Sequence, residues 1–206
     1  MAQPAVTIQP SPKRPMTIEE WADMPEDEPG ELVDGYLEEE EAPDFIHEAI
    51  VSWLFRVLAN WLVPRGGRVF GSDAKYRLTE RRGRKPDLAA YLPGSQLPGG
   101  RRAATRVPPD IAVEVVSPAA RDRRRDRVEK TTEYAQFGVR YYWLIDPEAR
   151  TLEILELGTD GRYVLALTAA DGAVSSVPGC PELSLDLDAL WADIDSLPQD
   201  EDEPAP

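Results

Sequence analysis

One stretch in the middle of the chain constrains its fold most strongly, because it predicts a strand, a helix and a second strand in succession. Residues 111–116 (IAVEVV) are apolar apart from Glu114, and such short apolar runs are typical of strands buried on both faces. Residues 121–137 contain neither Gly nor Pro and are rich in Arg, Glu and Ala, which predicts a helix. Residues 141–145 (YYWLI) predict the second strand. A unit of this kind normally forms a right-handed crossover between parallel strands.

The rest of the chain predicts further strands and helices around this unit. Residues 44–63 are the clearest further helix, because Ile50, Trp53, Leu54 and Leu58 recur at helical spacing within a broad apolar stripe. Such a stripe predicts packing against a sheet. Further strands are predicted at residues 31–37, 68–78, 86–92, 151–157 and 162–167, a short helix at 17–24, a strand and helix within 183–194, and connections at 79–85 and 93–109.

Length and composition indicate one soluble domain. A chain of 206 residues is long enough for a single core, and we place that domain at residues 16–195. Residues 1–15 and the acidic tail at 196–206 are predicted to be disordered, since they are polar, rich in Pro and without periodicity. The single cysteine excludes an internal disulfide. No continuous apolar run has transmembrane length and the N-terminus lacks the apolar core of a signal peptide, so we expect a cytoplasmic protein without a membrane partner.

Two carboxylates on predicted strands could share one divalent cation. Asp87 begins the strand at residues 86–92 and Glu114 is central to the strand at 111–116. Mg²⁺ prefers hard oxygen ligands and keeps several waters, so two carboxylates suffice, and the carbonyl of Val115 could add a third oxygen. A cation would also compensate the charge of a buried Glu114. It could lower the pKa of a bound water and offset charge on a phosphate.

Several short motifs in this region resemble one known family. PDLAAYL at 86–92, VEVVSP at 113–118, Lys130 and YAQFGVRYYWLIDP at 134–147 resemble, in order and spacing, the Uma2 family of the PD-(D/E)XK nuclease superfamily. The resemblance runs from about Met16 to Trp191. It implies an α/β fold of restriction-endonuclease type, in which helices flank a mixed central sheet. It also implies metal-dependent hydrolysis of DNA.

The lysine of this site departs from the superfamily pattern. That pattern places a lysine two residues after the second acid, where this chain has Val116. The resemblance places the lysine on the following helix, at Lys130. Asp126, Lys130 and Tyr134 are four residues apart and line one helix face, but spacing alone does not say whether that face points at the acids. Without the resemblance, Lys130 would be interpreted as a surface partner of Asp126.

The resemblance also brings in two auxiliary residues. His47 is the one histidine of the chain and lies near the start of the long helix, and Glu31 begins an early strand. Both match family positions, and either could hold a water or a second metal. A helix-surface or capping role is an equal alternative for each.

The charge distribution points to a possible nucleic-acid surface. The net charge of the chain is −15, but residues 65–140 carry +9 between segments of −11 and −13. A basic local field can attract phosphates even on an acidic protein, although Arg-rich loops are equally often only solvated. The candidate phosphate-binding residues next to the Asp87 strand are Arg81, Arg82, Arg84 and Lys85.

The resemblance implies an endonuclease that hydrolyses DNA phosphodiester bonds, whereas the residues alone support only a two-carboxylate metal site. Asp87 and Glu114 would hold Mg²⁺, with Mn²⁺ as the alternative metal, and Lys130 would assist. DNA is the expected partner, and a homodimer is left open. Two alternatives stand beside this prediction: a non-catalytic interaction module that keeps the fold, and an RNA or nucleotide phosphoesterase.

Overall fold

A computed structural model of the chain describes residues 14–25, 30–39 and 42–198. Its helices are α1 (Ile18–Ala22), α2 (Phe45–Leu62), α3 (Ala120–Arg124), α4 (Thr131–Phe137) and α5 (Leu187–Asp195), with a 3₁₀ turn at Val63–Arg65 and a π-helical segment at Arg125–Lys130. Its strands are β1 (Glu31–Val33), β2 (Tyr36–Glu38), β3 (Arg68–Phe70), β4 (Lys75–Thr79), β5 (Arg82–Arg84), β6 (Leu88–Tyr91), β7 (Ala104–Thr105), β8 (Ile111–Val115), β9 (Tyr141–Asp146), β10 (Thr151–Leu157), β11 (Tyr163–Ala169), β12 (Ala173–Val174) and β13 (Leu185–Asp186).

The central sheet has six strands in the order β11-β10-β9-β8-β6-β3. Strands β8 and β9 run parallel on either side of the α3–α4 crossover, and the other neighbours in this sheet are antiparallel. This mixed sheet with flanking helices confirms the predicted fold class, and the parallel pair confirms the predicted crossover.

A second, five-stranded sheet in the order β2-β1-β5-β4-β7 was not predicted. The stretch 79–85, expected to be a connection, contains β5. The sequence of β5, Arg-Gly-Arg, shows no alternation of apolar and polar residues, because its middle position has to be glycine for close packing. A Cβ added to Gly83 would lie 2.3 Å from the Trp21 ring, so α1 and β5 can approach this closely only with glycine there.

The two faces of the central sheet carry different helices. Val113 and Val115 of β8 pack with the buried residues of α2 on one face. Ala112, the residue before Val113, packs with Tyr134 of α4 and Tyr142 of β9 on the other face. Because side chains alternate along a strand, Glu114 shares the face of Ala112 and points toward the crossover helices.

The long helix α2 also has the composition of a membrane span. Residues Phe45–Arg65 have sufficient length and a mean hydropathy of 1.2, which the sequence prediction did not anticipate. One such helix is weak evidence for a membrane, because core helices have the same composition. Ile50, Leu54 and Leu58 of this helix are fully buried in the protein core, as the apolar stripe predicts.

The predicted continuous helix at 121–137 is interrupted by the π-helical segment. There the carbonyl of Asp126 accepts hydrogen bonds from Tyr142 Oη at 3.0 Å and from Thr131 Oγ1 at 3.3 Å. These side-chain donors satisfy a backbone group that the wider turn displaces. The helix ends at Gly138, whose φ of 95° is the left-handed C-cap that the sequence predicts.

The predicted disordered segments lie largely outside the described residues. Residues 14, 15 and 196–198 are described. Arg14 pairs with Glu20 at 2.6 Å and Pro15 bridges to Tyr36, and the expected domain limits at residues 16 and 195 stay a prediction.

A buried arginine joins the second sheet to the crossover helices. Arg84 of β5 is fully buried and donates to Glu31 Oε2 of β1 at 2.7 Å. It also donates to both oxygens of Glu133 on α4, at 2.6 and 3.0 Å. This fork-shaped pairing ties three elements together through one guanidinium.

We expect Arg84→Met to lower the free energy of unfolding by about 3–5 kcal/mol, because it leaves two buried carboxylates without their partner. Urea denaturation measures this change. Arg106→Met is the control, since the Arg106–Glu80 pair is exposed on both sides and should matter by less than about 1 kcal/mol. Equal small effects of the two changes would contradict the structural role of Arg84.

Candidate active site

Asp87 directly precedes β6, and Glu114 lies on β8, the neighbouring antiparallel strand. The register pairs Leu88 with Val113, so extending it by one residue places Asp87 opposite Glu114. The backbone N–H of Val115 donates to Asp87 Oδ2 at 2.7 Å, which fixes the Asp87 carboxylate beside β8. The two acids therefore line the same cleft, as their predicted strand positions require.

The cleft has a volume of about 270 Å³ and lies where β6 begins and β8 ends. The start of α2 forms one wall, and α3 with the π-helical segment forms the other. Its ionisable lining includes His47, Lys85, Asp87, Glu114, Asp126 and Lys130.

Lys130 points into this cleft and not into solvent. Its side chain is 2 % exposed, and Nζ lies 2.9 Å from Glu114 Oε2. The same ammonium lies 3.2 Å from Asp126 Oδ1 and 3.8 Å from Glu31 Oε2. The helix face that carries Asp126, Lys130 and Tyr134, whose direction the spacing did not settle, therefore faces the acids. The pairing with Asp126 exists, but it is buried and is part of the cleft.

Tyr134 holds the second oxygen of Glu114. It is 1 % exposed and donates from Oη to Glu114 Oε1 at 2.8 Å. Its ring packs edge-on against Tyr142 with 5.1 Å between ring centroids. Both oxygens of the Glu114 carboxylate are thus bound to side chains of the crossover segment.

Burial and neighbouring charges shift the pKa values of the carboxyl groups in this cluster. Burial raises the pKa of Glu114 well above its usual range, and although Lys130 opposes this, the charges of Asp87, Asp126 and Glu31 add to it. Burial likewise raises the pKa of Asp126 against the opposing effect of Lys130. The site therefore holds more carboxylate than its own cations compensate.

His47 stands at the mouth of the cleft beside Asp87. Its Nε2 lies 3.2 Å from Asp87 Oδ2. Burial lowers the pKa of His47, but the hydrogen bond and charge of Asp87 outweigh burial and raise it. Its Nδ1 is buried, lies 3.8 Å from Glu48 Oε1 and has no hydrogen-bond partner among the described residues.

Glu31 lies behind Lys130 and does not border the cleft. Its Oε2 accepts from Arg84 and its Oε1 accepts from the backbone N–H of Lys85 at 2.7 Å. Burial raises its pKa, but the charges of Lys130 and Arg84 and the Lys85 bond outweigh this and lower it from 4.5 to about 2. Glu31 thus anchors the cationic side chains around it.

Comparison with known proteins identifies a family and a common fold. Residues 17–188 match the model of the Uma2 family, described as "Putative restriction endonuclease". The chain belongs to the Uma2 family. A solved structure titled as a "putative nuclease belonging to DUF820" from Anabaena variabilis ATCC 29413 is similar, with a TM-score of 0.67 and 21% identity. The similarity covers 87% of this chain and 99% of that one, which shows a common fold. No curated protein matches the chain.

The four basic residues expected to contact nucleic acid lie in different surroundings in this Uma2 chain. Arg84 is a correction: it is 0 % exposed and bound to Glu31 and Glu133, so it cannot reach a phosphate. Arg82 is held by Asp34 and Glu133, and Arg81 donates to the carbonyl of Asp34. These pairings occupy their guanidinium groups beside the β1–β2 turn. Lys85 is the one of the four that lines the cleft.

Two residues of the cluster were visible in the sequence without being assigned to the site. Asp126 and Tyr134 lie four residues before and after Lys130, and their shared face was the signal. The partnership of Arg84 with Glu133 had no such signal, because 49 residues separate them.

We expect the stability effect of Glu31→Gln to depend on pH. Because the pKa of Glu31 is lower in the fold than in the unfolded chain, its charge stabilises the fold fully above about pH 4.5 and progressively less as pH falls toward 2. The variant should therefore lose up to about 3 kcal/mol at pH 7, with a smaller loss at pH 3. Urea denaturation at several pH values measures the difference. A loss that is constant from pH 7 to pH 3 would contradict the pairing.

Proposed function

We propose that this Uma2 protein is a divalent-metal-dependent nuclease that hydrolyses phosphodiester bonds of DNA. In this proposal Asp87 and Glu114 hold Mg²⁺, or Mn²⁺ in its place, and Lys130 assists the reaction. The observation that carries it is the meeting of these three side chains in one cleft, from two adjacent strands and the helix that follows them.

The donor set fits a small hard cation. Among the residues that the structure describes, no three His, Cys, Asp or Glu side chains are arranged to hold an ion by themselves. Mg²⁺ does not need three, because it keeps several of its waters and is commonly bound through one or two carboxylates. The raised pKa of Glu114, caused by burial and by neighbouring acids, indicates a carboxylate that a nearby cation would stabilise.

Each residue then has a distinct task. When bound, the metal would supply an activated water and neutralise charge on the phosphate. Asp87 is held for this purpose by the Val115 N–H and by His47. Lys130 brings an ammonium beside the same carboxylates, where it can stabilise charge that develops on a phosphate oxygen.

DNA is the substrate that the family description and the local charge favour. Lys85 lines the cleft, and Arg121, on the first turn of α3 beside the lining residue Asp122, is 70% exposed. A phosphate backbone could lie along these cations. The proposal also implies a cytoplasmic protein, and it requires no second copy of the chain.

We expect the purified chain to nick or linearise supercoiled plasmid with Mg²⁺ or Mn²⁺ and not with EDTA. Asp87→Asn, Glu114→Gln and Lys130→Met should each lower the rate by roughly 10²–10³-fold, because each removes a charge that acts on the reacting phosphate. Gel electrophoresis over time measures the rate.

The matched control is Glu80→Gln, a carboxylate that is exposed and does not line the cleft, which should leave the rate unchanged. Circular dichroism checks that each variant is folded. Cleavage of RNA or of small phosphodiesters in preference to plasmid would favour the phosphoesterase alternative. Absence of any metal-dependent cleavage, with folded protein, would favour the interaction module.

DNA binding should depend on Lys85, on Arg121 and on the salt concentration. With Ca²⁺ as a non-catalytic metal, the double change Lys85→Ala and Arg121→Ala should weaken binding of a duplex oligonucleotide. Each lost phosphate contact should reduce the slope of log affinity against log salt by about 0.9. Fluorescence anisotropy at several salt concentrations measures both quantities.

Arg162→Ala is the control, because Arg162 is exposed in the β10–β11 turn and does not line the cleft. Its salt slope should equal that of the unmodified chain. An unchanged slope for the double variant would remove these two residues from the proposed DNA surface.

A further inference from the structure

The ammonium of Lys130 stands where a cation would bind the carboxylates of this cleft. Its Nζ lies within 4 Å of three acids: Glu114 Oε2 at 2.9 Å, Asp126 Oδ1 at 3.2 Å and Glu31 Oε2 at 3.8 Å. Its side chain is 2 % exposed, so water does little to screen these interactions. A point charge surrounded by carboxylates in this way occupies the electrostatic position of a metal ion.

Glu114 has no oxygen that is clear of a protein donor. Oε2 accepts from Lys130 at 2.9 Å and Oε1 accepts from Tyr134 at 2.8 Å. Each carboxylate oxygen has two lone pairs, so a metal can bind an oxygen that also accepts a hydrogen bond. A divalent cation on Glu114 would repel the Lys130 ammonium at this short distance, whereas it would not repel the neutral Tyr134 hydroxyl in this way.

Lys130 is the donor that can move. The Tyr134 ring is buried and packed edge-on against Tyr142, which fixes the position of its hydroxyl. The Lys130 side chain is a flexible stem, and its ammonium already has Asp126 at 3.2 Å on the cleft wall. It can therefore leave Glu114 and remain paired within the cleft, whereas loss of the Tyr134 bond would leave a buried hydroxyl unsatisfied.

We propose that Lys130 is an internal countercharge that holds the cation position of Glu114 and is displaced from it when a divalent metal binds. This inference rests on the proposed function and adds how the site is loaded. The displaced ammonium would stay in the cleft through its pairing with Asp126, which lines the cleft. The lysine thus competes with the metal before binding and works beside it afterwards.

The test is the metal affinity of variants in which the competing charge is removed. Calorimetric titration of Mn²⁺ into the full chain should show roughly tenfold or tighter binding for Lys130→Met and Lys130→Gln than for the unmodified protein, because no ammonium has to be displaced. Lys85→Met is the control for charge alone, since Lys85 lines the same cleft but pairs with Asp73 at 3.7 Å. Its affinity should rise by no more than about threefold.

Thermal unfolding provides a second readout of the same competition. Mn²⁺ should raise the melting temperature of both Lys130 variants more than that of the unmodified chain, because it replaces a missing countercharge. Lys130→Gln keeps an N–H donor for Glu114 and so protects the fold if Lys130→Met does not tolerate the loss. A variant that folds only in the presence of Mn²⁺ would support the inference strongly.

The outcomes separate the two claims. If the Lys130 variants bind Mn²⁺ no more tightly than the unmodified chain, while Asp87→Asn abolishes binding, the countercharge inference is overturned and the proposed metal site stands. Failure of both Lys130 variants to fold even with saturating Mn²⁺ would also overturn it. If the unmodified chain binds no Mn²⁺, or binds it equally well without Asp87 and Glu114, the proposed function falls and the inference with it.

Discussion

The balance of charge around the buried ammonium of Lys130 is the constraint on which this structure depends. Ionised groups are costly to bury unless they are paired and hydrogen-bonded. Here Glu31, Glu114 and Asp126 all lie within 4 Å of one ammonium, and Arg84 supplies a second buried cation behind it. These contacts join β1 and β5 of the second sheet to β8 of the central sheet and to the crossover helices. The network therefore fixes the position of the two sheets relative to each other at the cleft.

The same network explains why the site is preorganised. The antiparallel register of β6 and β8 places Asp87 opposite Glu114, and the Val115 N–H fixes the Asp87 carboxylate. The π-helical segment carries both Asp126 and Lys130, and such segments are frequent at functional sites. Tyr134, one turn further on, fixes Glu114 from a second direction. The acids are therefore positioned by backbone geometry and packing before any ligand arrives.

The sequence was informative wherever the pattern is local. The crossover and the long helix follow from apolar periodicity, since they need only neighbouring residues. The adjacency of the strands that carry or follow Glu114 and Asp87 was a condition that periodicity alone did not establish. The direction of the Lys130 face did not follow, because it depends on how the helix packs on a sheet whose strands lie elsewhere in the chain. Arg84 was read as part of a basic surface, although it is buried, because its partners Glu31 and Glu133 are about fifty residues away on either side. The strand β5 was missed for a related reason, as its Gly83 is set by contact with Trp21 and not by alternation.

The measurement that tests the account most directly is anomalous X-ray diffraction from crystals of the full chain soaked in Mn²⁺. The account predicts one anomalous peak between Asp87 and Glu114, at about 2.1 Å from an oxygen of each carboxylate. It also predicts that Lys130 Nζ will have moved away from Glu114 Oε2 while remaining beside Asp126. A peak elsewhere, or a fully occupied metal at these acids with Lys130 still 2.9 Å from Glu114 Oε2, would contradict it.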